Sequence, residues 1–268
     1  GVIVQVLKKV GLNPNDPASY RPINVCSVYS KLIELCVRVP DTACDTQFGF
    51  REQRGTDLCN VILSDILSYY QAHNSPVFIC SLDAEKCFDT IWHEGLFNKL
   101  WGIIDVTDWL FLYKWYKNLY AVVKWQNTFS SRFYVSRGAR QGRTISPKFF
   151  NIFIDGLLRQ LQGANYGVRI GDTKINSMAY ADDITLISST VSGLQSLIDI
   201  CHDYAKNWKF TFGHSKSKCP IAGDCTSLSN SREYLSYQWS LGDQRLDTVD
   251  EINILGVTFS HKIGRAHV

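Results

Sequence analysis

The 268-residue sequence has little net charge, no paired-cysteine motif and no long hydrophobic run. Its formal net charge is only +3, so charge alone does not indicate nucleic-acid binding, and any basic groove must come from local clustering. No apolar stretch approaches the roughly 20 residues that span a membrane, so we expect no membrane partner. The sequence shows no signal peptide, internal repeat or low-complexity tract, and nothing in it specifies an oligomeric state.

The nine cysteines include no Cys-x-x-Cys pair, and their number is odd. Several of them lie inside apolar runs, which favours reduced core thiols in an intracellular protein over a disulfide framework or a zinc site. Hydrophobic residues make up 45% of the chain and aromatic residues 13%, so a large core can form. These features predict a globular chain with two subdomains rather than independent domains.

Two adjacent carboxylates, Asp182 and Asp183, stand between two short apolar stretches. Each flank has the pattern of a strand, so the pair is expected at the bend of a hairpin, preceded by Tyr180 and Ala181. Neighbouring carboxylates repel each other unless a cation neutralises them, which indicates a metal site. The alternative is a solvated turn, because Asp is a common turn residue.

A second acidic pair, Asp83 and Asp89, follows the apolar run 77–82. That run has the length and composition of a buried strand, and carboxylates at strand ends face clefts. Folding could bring Asp83 next to Asp182. Two Mg²⁺ ions held about 3.5 to 4 Å apart by such carboxylates would activate a 3′-hydroxyl and stabilise a leaving pyrophosphate. This is polymerase chemistry.

With these acids, the chain resembles the reverse transcriptase domain of non-LTR (LINE-type) retrotransposons. The matching segments occur in the order of that family and cover nearly the whole chain: 20–23 (YRPI), 47–51 (QFGFR), 83–89, 140–142 (RQG), 146–151, 180–183 (YADD) and 254–257 (ILGV). The resemblance implies an α+β right-hand polymerase palm, an antiparallel sheet with helices on one face, with a partial fingers subdomain and little or no thumb.

The expected subdomains follow from the same resemblance. Residues 1–76 form the partial fingers, and residues 77–250 form the palm with a fingers-side insertion at about 102–137. Residues 251–259 form a hairpin like a primer grip, and 260–268 are an unassigned tail. Because the chain begins within the fingers, we expect a fragment of a longer protein. Helical spacing of apolar residues predicts helices within 28–39, 57–70, 94–101 and 108–119. Two more helices are predicted, one with Ser146 as its N-cap and Pro147 as its first residue, and one that Ser192 opens.

The resemblance implies that Asp83, Asp182 and Asp183 are catalytic and bind the metal ions. Lys216 would approach the leaving pyrophosphate as general acid, with Lys218 the second choice. Gly213 replaces the Asn of the family pattern, which is expected to weaken the anchoring of this loop. Asp89 resembles a further motif acid, with helix capping or pairing to an arginine as its alternative.

Nucleotide-binding roles are implied for residues in several segments: Arg21, Lys9, Phe88, Gln141 and Gly142. The ring of Phe88, five positions after Asp83, would lie beneath the incoming sugar and collide with a 2′-hydroxyl. Primer or template contacts are implied for Arg140, Tyr180, Leu255 and Gly256. For the arginine-rich loop 137–143 the alternative is simple solvation, and Arg143 departs from the family pattern of a small residue or Cys at that position.

The implied function is an RNA-directed DNA polymerase that uses two Mg²⁺ ions, or Mn²⁺ in their place. Its partners would be an RNA template, a DNA primer and dNTPs, in the nucleus, the cytoplasm or both. One alternative is a catalytically incompetent fragment with residual nucleic-acid binding. Another is a reverse transcriptase of the group II intron maturase or telomerase type. An RNA-dependent RNA polymerase is disfavoured by Phe88, and by Ala181 where those enzymes carry Gly.

Overall fold

The computed structural model describes residues 1–140, 142–214, 216–222, 237–249, 251–260 and 263–267. Its helices are α1 (Val28–Cys36), α2 (Thr56–Ala72), α3 (Cys87–Thr90), α4 (His93–Leu100), α5 (Val106–Lys117), α6 (Ser146–Gly163) and α7 (Val191–Trp208). Its first strands are β1 (Val2–Leu7), β2 (Tyr20–Val25), β3 (Val77–Asp83), β4 (Tyr120–Trp125), β5 (Thr128–Phe129), β6 (Phe133–Tyr134), β7 (Val168–Ile170), β8 (Thr173–Ile175), β9 (Ser177–Tyr180) and β10 (Asp183–Ser188). The later strands are β11 (Lys218–Ala222), β12 (Ser240–Leu241), β13 (Gln244–Arg245), β14 (Asp247–Val249), β15 (Glu251–Ile254), β16 (Val257–Ser260) and β17 (Ile263–His267).

The chain divides into two units that each contain discontinuous segments. Unit 1 comprises residues 1–42 and 86–153, and unit 2 comprises residues 43–85 and 154–268. The predicted boundary between residues 76 and 77 does not coincide with this division. Residues 43–76 belong to unit 2, because Leu63 and Ile66 of α2 pack with Val77 and Ile79 of β3 in one apolar cluster.

Unit 1 is organised around a sheet with the strand order β2-β1-β4-β5, and β6 also pairs with β4. The antiparallel pair β1–β2 places Val6 opposite Arg21, and β1 runs parallel to β4. Strands β4 and β6 pair antiparallel, with Tyr120 opposite Tyr134. Aromatic side chains of α4 and α5 pack edge to face, as with Phe97 and Tyr116 at 5.4 Å between ring centroids.

Unit 2 contains the sheet β14-β11-β3-β10-β9, in which β3 is central and pairs antiparallel with β10 and β11. The side chains of Val77 to Leu82 alternate between its faces. Val77 and Ile79 pack with α2, and Phe78, Cys80 and Leu82 are equally buried on the opposite side. Helix α7 contacts β3 and β10, and its Cys201 lies near Cys80. The α+β class is confirmed, and the sheet carries a helix on each face rather than on one.

Several local predictions are corrected by the contacts of the described residues. Helix α7 begins before Ser192, because Thr190 is its N-cap and accepts a hydrogen bond from the Gly193 amide at 3.1 Å. Ser146 is the first residue of α6, and its hydroxyl donates to the Arg140 carbonyl at 2.8 Å. Helix α1 ends at Cys36, since the chain is extended from Val37 toward Pro40.

Two expectations about the whole chain can be compared with the described residues. Cysteines 26, 36, 44, 59, 80, 87, 201 and 219 are free thiols, most of them buried, as predicted, and Cys225 lies outside the described residues. In the part of the chain that the structure describes, no helix is long and apolar enough to cross a membrane. Residues 260–268, for which the sequence predicts no secondary structure, include β17 (Ile263–His267). The backbone of β17 pairs with β16.

The packing of α7 on the central sheet makes a testable prediction. Leu197 is fully buried in α7, so Leu197→Ala should lower the free energy of unfolding by about 2 to 5 kcal/mol through lost burial and a residual cavity. Ser192→Ala, on the exposed side of the same helix, is the control and should change it by less than about 0.5 kcal/mol. Urea unfolding measures both, and equal effects would contradict the placement of α7.

Candidate active site

The candidate site lies at the end of unit 2 where β3 finishes and β10 begins. In the antiparallel register Asp83 stands directly opposite Asp183, and Leu82 stands opposite Ile184. Directly opposed residues project from the same face of a sheet with Cβ atoms about 4.5 to 5.5 Å apart. The apolar residues below them, Leu82 and Ile184, are fully buried, so the strands hold the two carboxylates in fixed neighbouring positions.

Asp182 lies in the hairpin turn between β9 and β10, as predicted. Tyr180 pairs with Asp183, so Ala181 and Asp182 form a two-residue turn. Ala181 has a φ of 56°, a left-handed conformation that is unfavourable for a residue with a Cβ. The Asp182 carbonyl accepts a hydrogen bond from the Ala84 amide at 3.3 Å. The turn is therefore tied to the residue that follows Asp83.

The side chain of Gln47 supports this turn from beneath. It is fully buried, and its Oε1 accepts hydrogen bonds from the amides of Ala181 at 3.0 Å and Gly49 at 2.8 Å. Its Nε2 donates to the Ala181 carbonyl at 3.4 Å. The adjacent backbone continues the sheet, since the Phe48 amide donates to the Ala179 carbonyl at 2.8 Å. Sequence reasoning gave Gln47 no role, although it belongs to the segment 47–51 that carried the resemblance.

Gly49 permits the close approach of this segment to the turn. A Cβ at residue 49 would lie 2.9 Å from the Ala181 Cα and 3.0 Å from the Tyr180 carbonyl carbon, and closer still to the Ala181 amide. All of these neighbours are backbone atoms that cannot rotate away. Only glycine therefore fits at residue 49 without displacement of the turn that carries Asp182.

Lys216 lies at the same end of the sheet, and its role as general acid stays a prediction. Its Nζ lies 3.0 Å from Oδ1 and 3.2 Å from Oδ2 of Asp83. Its loop is held by main-chain contacts, since the Gly213 amide donates to the Asp83 carbonyl at 2.8 Å and the Ser217 hydroxyl donates to the Gly213 carbonyl at 2.8 Å. These bonds anchor the loop without the asparagine side chain that the family pattern has at residue 213.

The charges of this cluster act on one another. The pKa of Asp183 is raised to about 6 by partial burial of its carboxyl, and further by the negative charges of Asp182 and Asp83, while Lys216 opposes the shift. The pKa of Lys216 is raised by its hydrogen bond to Asp83 and by the charges of the three carboxylates. Among the described residues, the charges that act on Asp183 are those of two other carboxylates and the Lys216 ammonium, which leaves an excess of negative charge at this end of unit 2.

The donor set suits a hard divalent cation, because all three groups are carboxylates and their repulsion is what a cation would relieve. No group of three or more His, Cys, Asp and Glu side chains among the described residues is already arranged around a metal position. Lys216 instead occupies both oxygens of Asp83. Metal binding by Asp83, Asp182 and Asp183 therefore stays a prediction that their chemistry fits.

The residues predicted to bind the incoming nucleotide belong to unit 1. Arg21 on β2 and Lys9 after β1 are exposed. Phe88 in α3 is half-buried, and its ring stacks on Phe150 at 5.0 Å between centroids. Gly142 has a φ of 89° that favours glycine, and Gln141 lies outside the described residues. Their binding roles stay predictions.

The arginine-rich loop is not simply solvated, contrary to one of the alternatives. Arg140 is 8% exposed and Arg143 is 4% exposed. The guanidinium of Arg140 lies over the ring of Trp115, 5.1 Å from its centroid, and Arg143 forms an ion pair with buried Glu34 at 3.2 Å. The surrounding aromatic rings and Glu34 draw both side chains inward.

The other three predicted primer-contacting residues lie in unit 2. Leu255 (φ 50°) and Gly256 (φ 87°) form the turn between β15 and β16, so the predicted hairpin is present. The Leu255 carbonyl accepts a hydrogen bond from Asn60 Nδ2 at 3.4 Å, which joins the hairpin to α2. Tyr180 is half-buried against the apolar cluster of α2 and β3. Contact with a primer stays a prediction.

Comparisons with known proteins extend this description. The family model described as reverse transcriptase (RNA-dependent DNA polymerase) matches residues 7–259. A Pol polyprotein of the type-2 retrotransposable element R2DM from Drosophila melanogaster is 28% identical, over 91% of this chain and 24% of its own length. The RNA-directed DNA polymerase of the mobile element jockey from Drosophila funebris is 26% identical, over 87% of this chain and 28% of its own length. The chain thus spans about a quarter of the length of these relatives.

Solved structures share the fold at much lower identity. Apo telomerase from Candida tropicalis has a TM-score of 0.57 and 12% identity, with 89% of this chain and 39% of that chain covered. A form truncated from its C-terminal domain has a TM-score of 0.56 and 13% identity, with 83% of this chain and 40% of that chain covered. At this identity the likeness concerns the fold alone.

The fit of Gly49 beneath the turn makes a testable prediction. Gly49→Ala should lower the free energy of unfolding by about 1 to 3 kcal/mol, because the added methyl group overlaps backbone atoms of the turn. Gly163→Ala is the matched control, since a Cβ there meets nothing within 4 Å, and it should be neutral or stabilising by up to about 1 kcal/mol. Chemical denaturation compares the two, and a neutral Gly49→Ala would show that the turn is not packed as described.

Proposed function

Because the chain belongs to the reverse transcriptase (RNA-dependent DNA polymerase) family, we propose that its unit 2 carboxylates catalyse DNA synthesis on an RNA template. The resemblance to polymerases of non-LTR retrotransposons is confirmed, and the fold is a right-hand polymerase fold. Reverse transcriptases bind nucleic acid and generally use divalent metal ions. What this chain itself binds and catalyses is the proposal.

The observation that carries the proposal is the convergence of Asp83, Asp182 and Asp183 at one end of the sheet, with Lys216 as their partner. These aspartates would hold two Mg²⁺ ions, or Mn²⁺ in their place. Bound there, the ions would lower the pKa of a primer 3′-hydroxyl and stabilise the leaving pyrophosphate. The substrates would be dNTPs, a DNA primer and an RNA template.

The chain's own residues would position the substrates and handle the proton. Strand pairing fixes Asp83 and Asp183, and the hydrogen bonds of Gln47 fix the turn at Asp182. We assign Lys216 as the general acid for the leaving pyrophosphate, because its ammonium already lies beside the Asp83 carboxylate. Arg21 and Lys9, both exposed, would bind the triphosphate of the incoming nucleotide. Free buried thiols support an intracellular site of action, nuclear or cytoplasmic.

The proposal predicts loss of primer extension when a carboxylate is removed. Asp183→Asn should strongly reduce the rate at which oligo-dT is extended on poly-rA. Mutation of residues that only hydrogen-bond to metal ligands lowers activity by roughly 10- to 100-fold, so loss of a ligand itself should lower it further. Asp172→Asn, an exposed aspartate of unit 2, is the control and should leave the rate unchanged. Extension is measured with Mg²⁺ and with Mn²⁺.

The alternative of an incompetent fragment makes a different prediction for the same assay. Such a fragment would bind the poly-rA/oligo-dT duplex, in a salt-dependent manner, without extending it. If this chain binds but does not extend, the Asp183→Asn comparison is repeated in a longer form of the protein. Extension that survives Asp183→Asn there would refute the catalytic assignment.

The assignment of Phe88 to sugar selection is tested by a ratio. Phe88→Val should raise ribonucleotide relative to deoxyribonucleotide incorporation by roughly 10- to 200-fold, because space opens for a 2′-hydroxyl. Phe150→Val removes the same ring stack from the other side, and it should lower stability without a change in that ratio. The measurement is kcat/KM for each nucleotide, and equal ratios in the two variants would sink the assignment.

A further inference from the structure

The turn that carries Asp182 has a backbone conformation that its own residues do not favour. Of the two turn residues, only Ala181 has a positive φ, at 56°. Two-residue hairpin turns with a positive φ at the first position usually carry glycine there, because a Cβ is unfavourable in that conformation. Ala181 is also buried, so its backbone groups need partners within the protein. The turn therefore depends on a partner outside the hairpin.

The Gln47 side chain supplies that partner on both sides of Ala181. Its Oε1 accepts a hydrogen bond from the Ala181 amide at 3.0 Å, and its Nε2 donates to the Ala181 carbonyl at 3.4 Å. The amide belongs to the peptide plane before Ala181, and the carbonyl belongs to the plane that leads into Asp182. Holding both planes fixes the two backbone dihedral angles of Ala181. The same two bonds therefore fix the position from which the Asp182 side chain projects.

The position of Gln47 is itself fixed by contacts within unit 2. Nη1 of Arg51 donates to the carbonyls of Cys44 at 3.0 Å and Gln47 at 3.4 Å. The Cys44 amide donates to Oδ1 of Asp155, a residue of α6, at 2.6 Å. The Gln47 side chain is fully buried, so it has no solvent-facing alternative. The support of the turn is thus continuous with a long helix of the same unit.

The three carboxylates of the candidate site depend on different parts of this structure. Strand pairing holds Asp83 and Asp183, whereas the position of Asp182 depends on the turn. Mg²⁺ requires near-ideal octahedral geometry with oxygens at about 2.0 to 2.1 Å, whereas Ca²⁺ accepts oxygens at about 2.3 to 2.6 Å in irregular arrangements. Loosening of the turn should therefore lower the affinity for Mg²⁺ more than the affinity for Ca²⁺.

We propose that Gln47 is a positioning residue that makes the carboxylate site select Mg²⁺ over Ca²⁺, by holding Ala181 and with it the Asp182 carboxylate. The inference rests on the proposed function, since it takes Asp83, Asp182 and Asp183 as the metal ligands. Gln47 acts through the backbone of the turn, and the neutral amide is suited to this role because one end accepts and the other donates.

The test measures ion binding to the full chain without nucleic acid or nucleotide, so that it does not depend on polymerisation. Mn²⁺ binding is followed by EPR, and Mg²⁺ or Ca²⁺ then displaces the bound Mn²⁺. Gln47→Met keeps the length of the side chain and removes its hydrogen bonds. It should weaken Mg²⁺ binding by about 10-fold and Ca²⁺ binding by no more than about 2-fold. An unchanged ratio of the two affinities would overturn the inference.

Asn176→Leu is the matched control for the loss of a buried amide. Asn176 is buried in unit 2, and its Nδ2 donates to the carbonyls of Leu161 and Tyr166. Its replacement removes hydrogen bonds at the start of β9, whereas the turn follows the end of that strand. Asn176→Leu should lower stability and leave the ratio of Mg²⁺ to Ca²⁺ affinity unchanged. A change in that ratio equal to that of Gln47→Met would assign the effect to general loss of packing and overturn the inference.

A glycine at residue 181 keeps the test decisive if Gln47→Met does not fold. Ala181→Gly removes the Cβ that makes the positive φ unfavourable, so the turn then needs less support to form. The single variant Ala181→Gly should retain the preference for Mg²⁺, because Gln47 still holds the turn. Addition of Gln47→Met to it should lower that preference. Equal ratios in the single and double variants, or a double variant that does not fold, would show that Gln47 serves folding alone and would overturn the inference.

Asp183→Asn separates this inference from the proposed function. It should weaken the binding of both ions, because it removes a ligand. If it leaves both affinities unchanged, the ions bind elsewhere, and this inference and the proposed function are both wrong. If it weakens both while Gln47→Met leaves their ratio unchanged, only this inference is wrong. A chain that selects Mg²⁺ through Gln47 but never extends a primer retains this inference and loses the proposed function.

Discussion

The pairing of β3 with β10 is the constraint on which the candidate active site depends. It sets Asp83 opposite Asp183 and places Asp182 in the adjoining turn. Like charges would separate if the chain were free to move. They are held together because the residues beneath them, including Leu82, Ile184 and Leu186, are fully buried, and each such side chain contributes about 1.5 to 3 kcal/mol. Burial of the strands therefore offsets the repulsion at their end.

The turn at Ala181 and Asp182 shows how a second segment stabilises what the hairpin alone does not favour. Its left-handed Ala181 is unfavourable in isolation, and Gln47 compensates by bonding both the amide and the carbonyl of that residue. Gly49 allows this contact, because any side chain there would meet the backbone of the turn. The position of the Asp182 carboxylate is thus decided by residues far away in the sequence.

The cations of the chain fall into two groups with different physical settings. Arg21 and Lys9 are exposed to solvent, whereas Arg140 and Arg143 are buried among aromatic rings. Buried guanidiniums cannot be neutralised by water, so they need an acceptor that the fold or a ligand supplies. The small overall charge of +3 conceals this concentration of positive charge in one part of unit 1.

The sequence by itself determined the elements whose signals are local. The apolar run before Asp83 predicted β3, the alternation around Asp182 predicted a hairpin, and apolar spacing predicted most helices to within a few residues. Motif order predicted the family, because those residue types are required by one chemistry. The primer-grip-like hairpin was equally visible, since Leu255 and Gly256 separate two apolar segments.

Only the tertiary structure decided what depends on distant pairs. The register of Asp83 with Asp183, the support of Ala181 by Gln47 and the ion pair of Arg143 with Glu34 each join residues remote in sequence. The sequence shows that such a residue is polar, but it does not show whether the side chain is buried against a partner. The sequence of the loop that contains Arg140 is therefore also compatible with a solvated loop. The division into two units at residues 42, 85 and 153 is likewise decided by packing, because hydrophobic contacts form between segments regardless of their order in the chain.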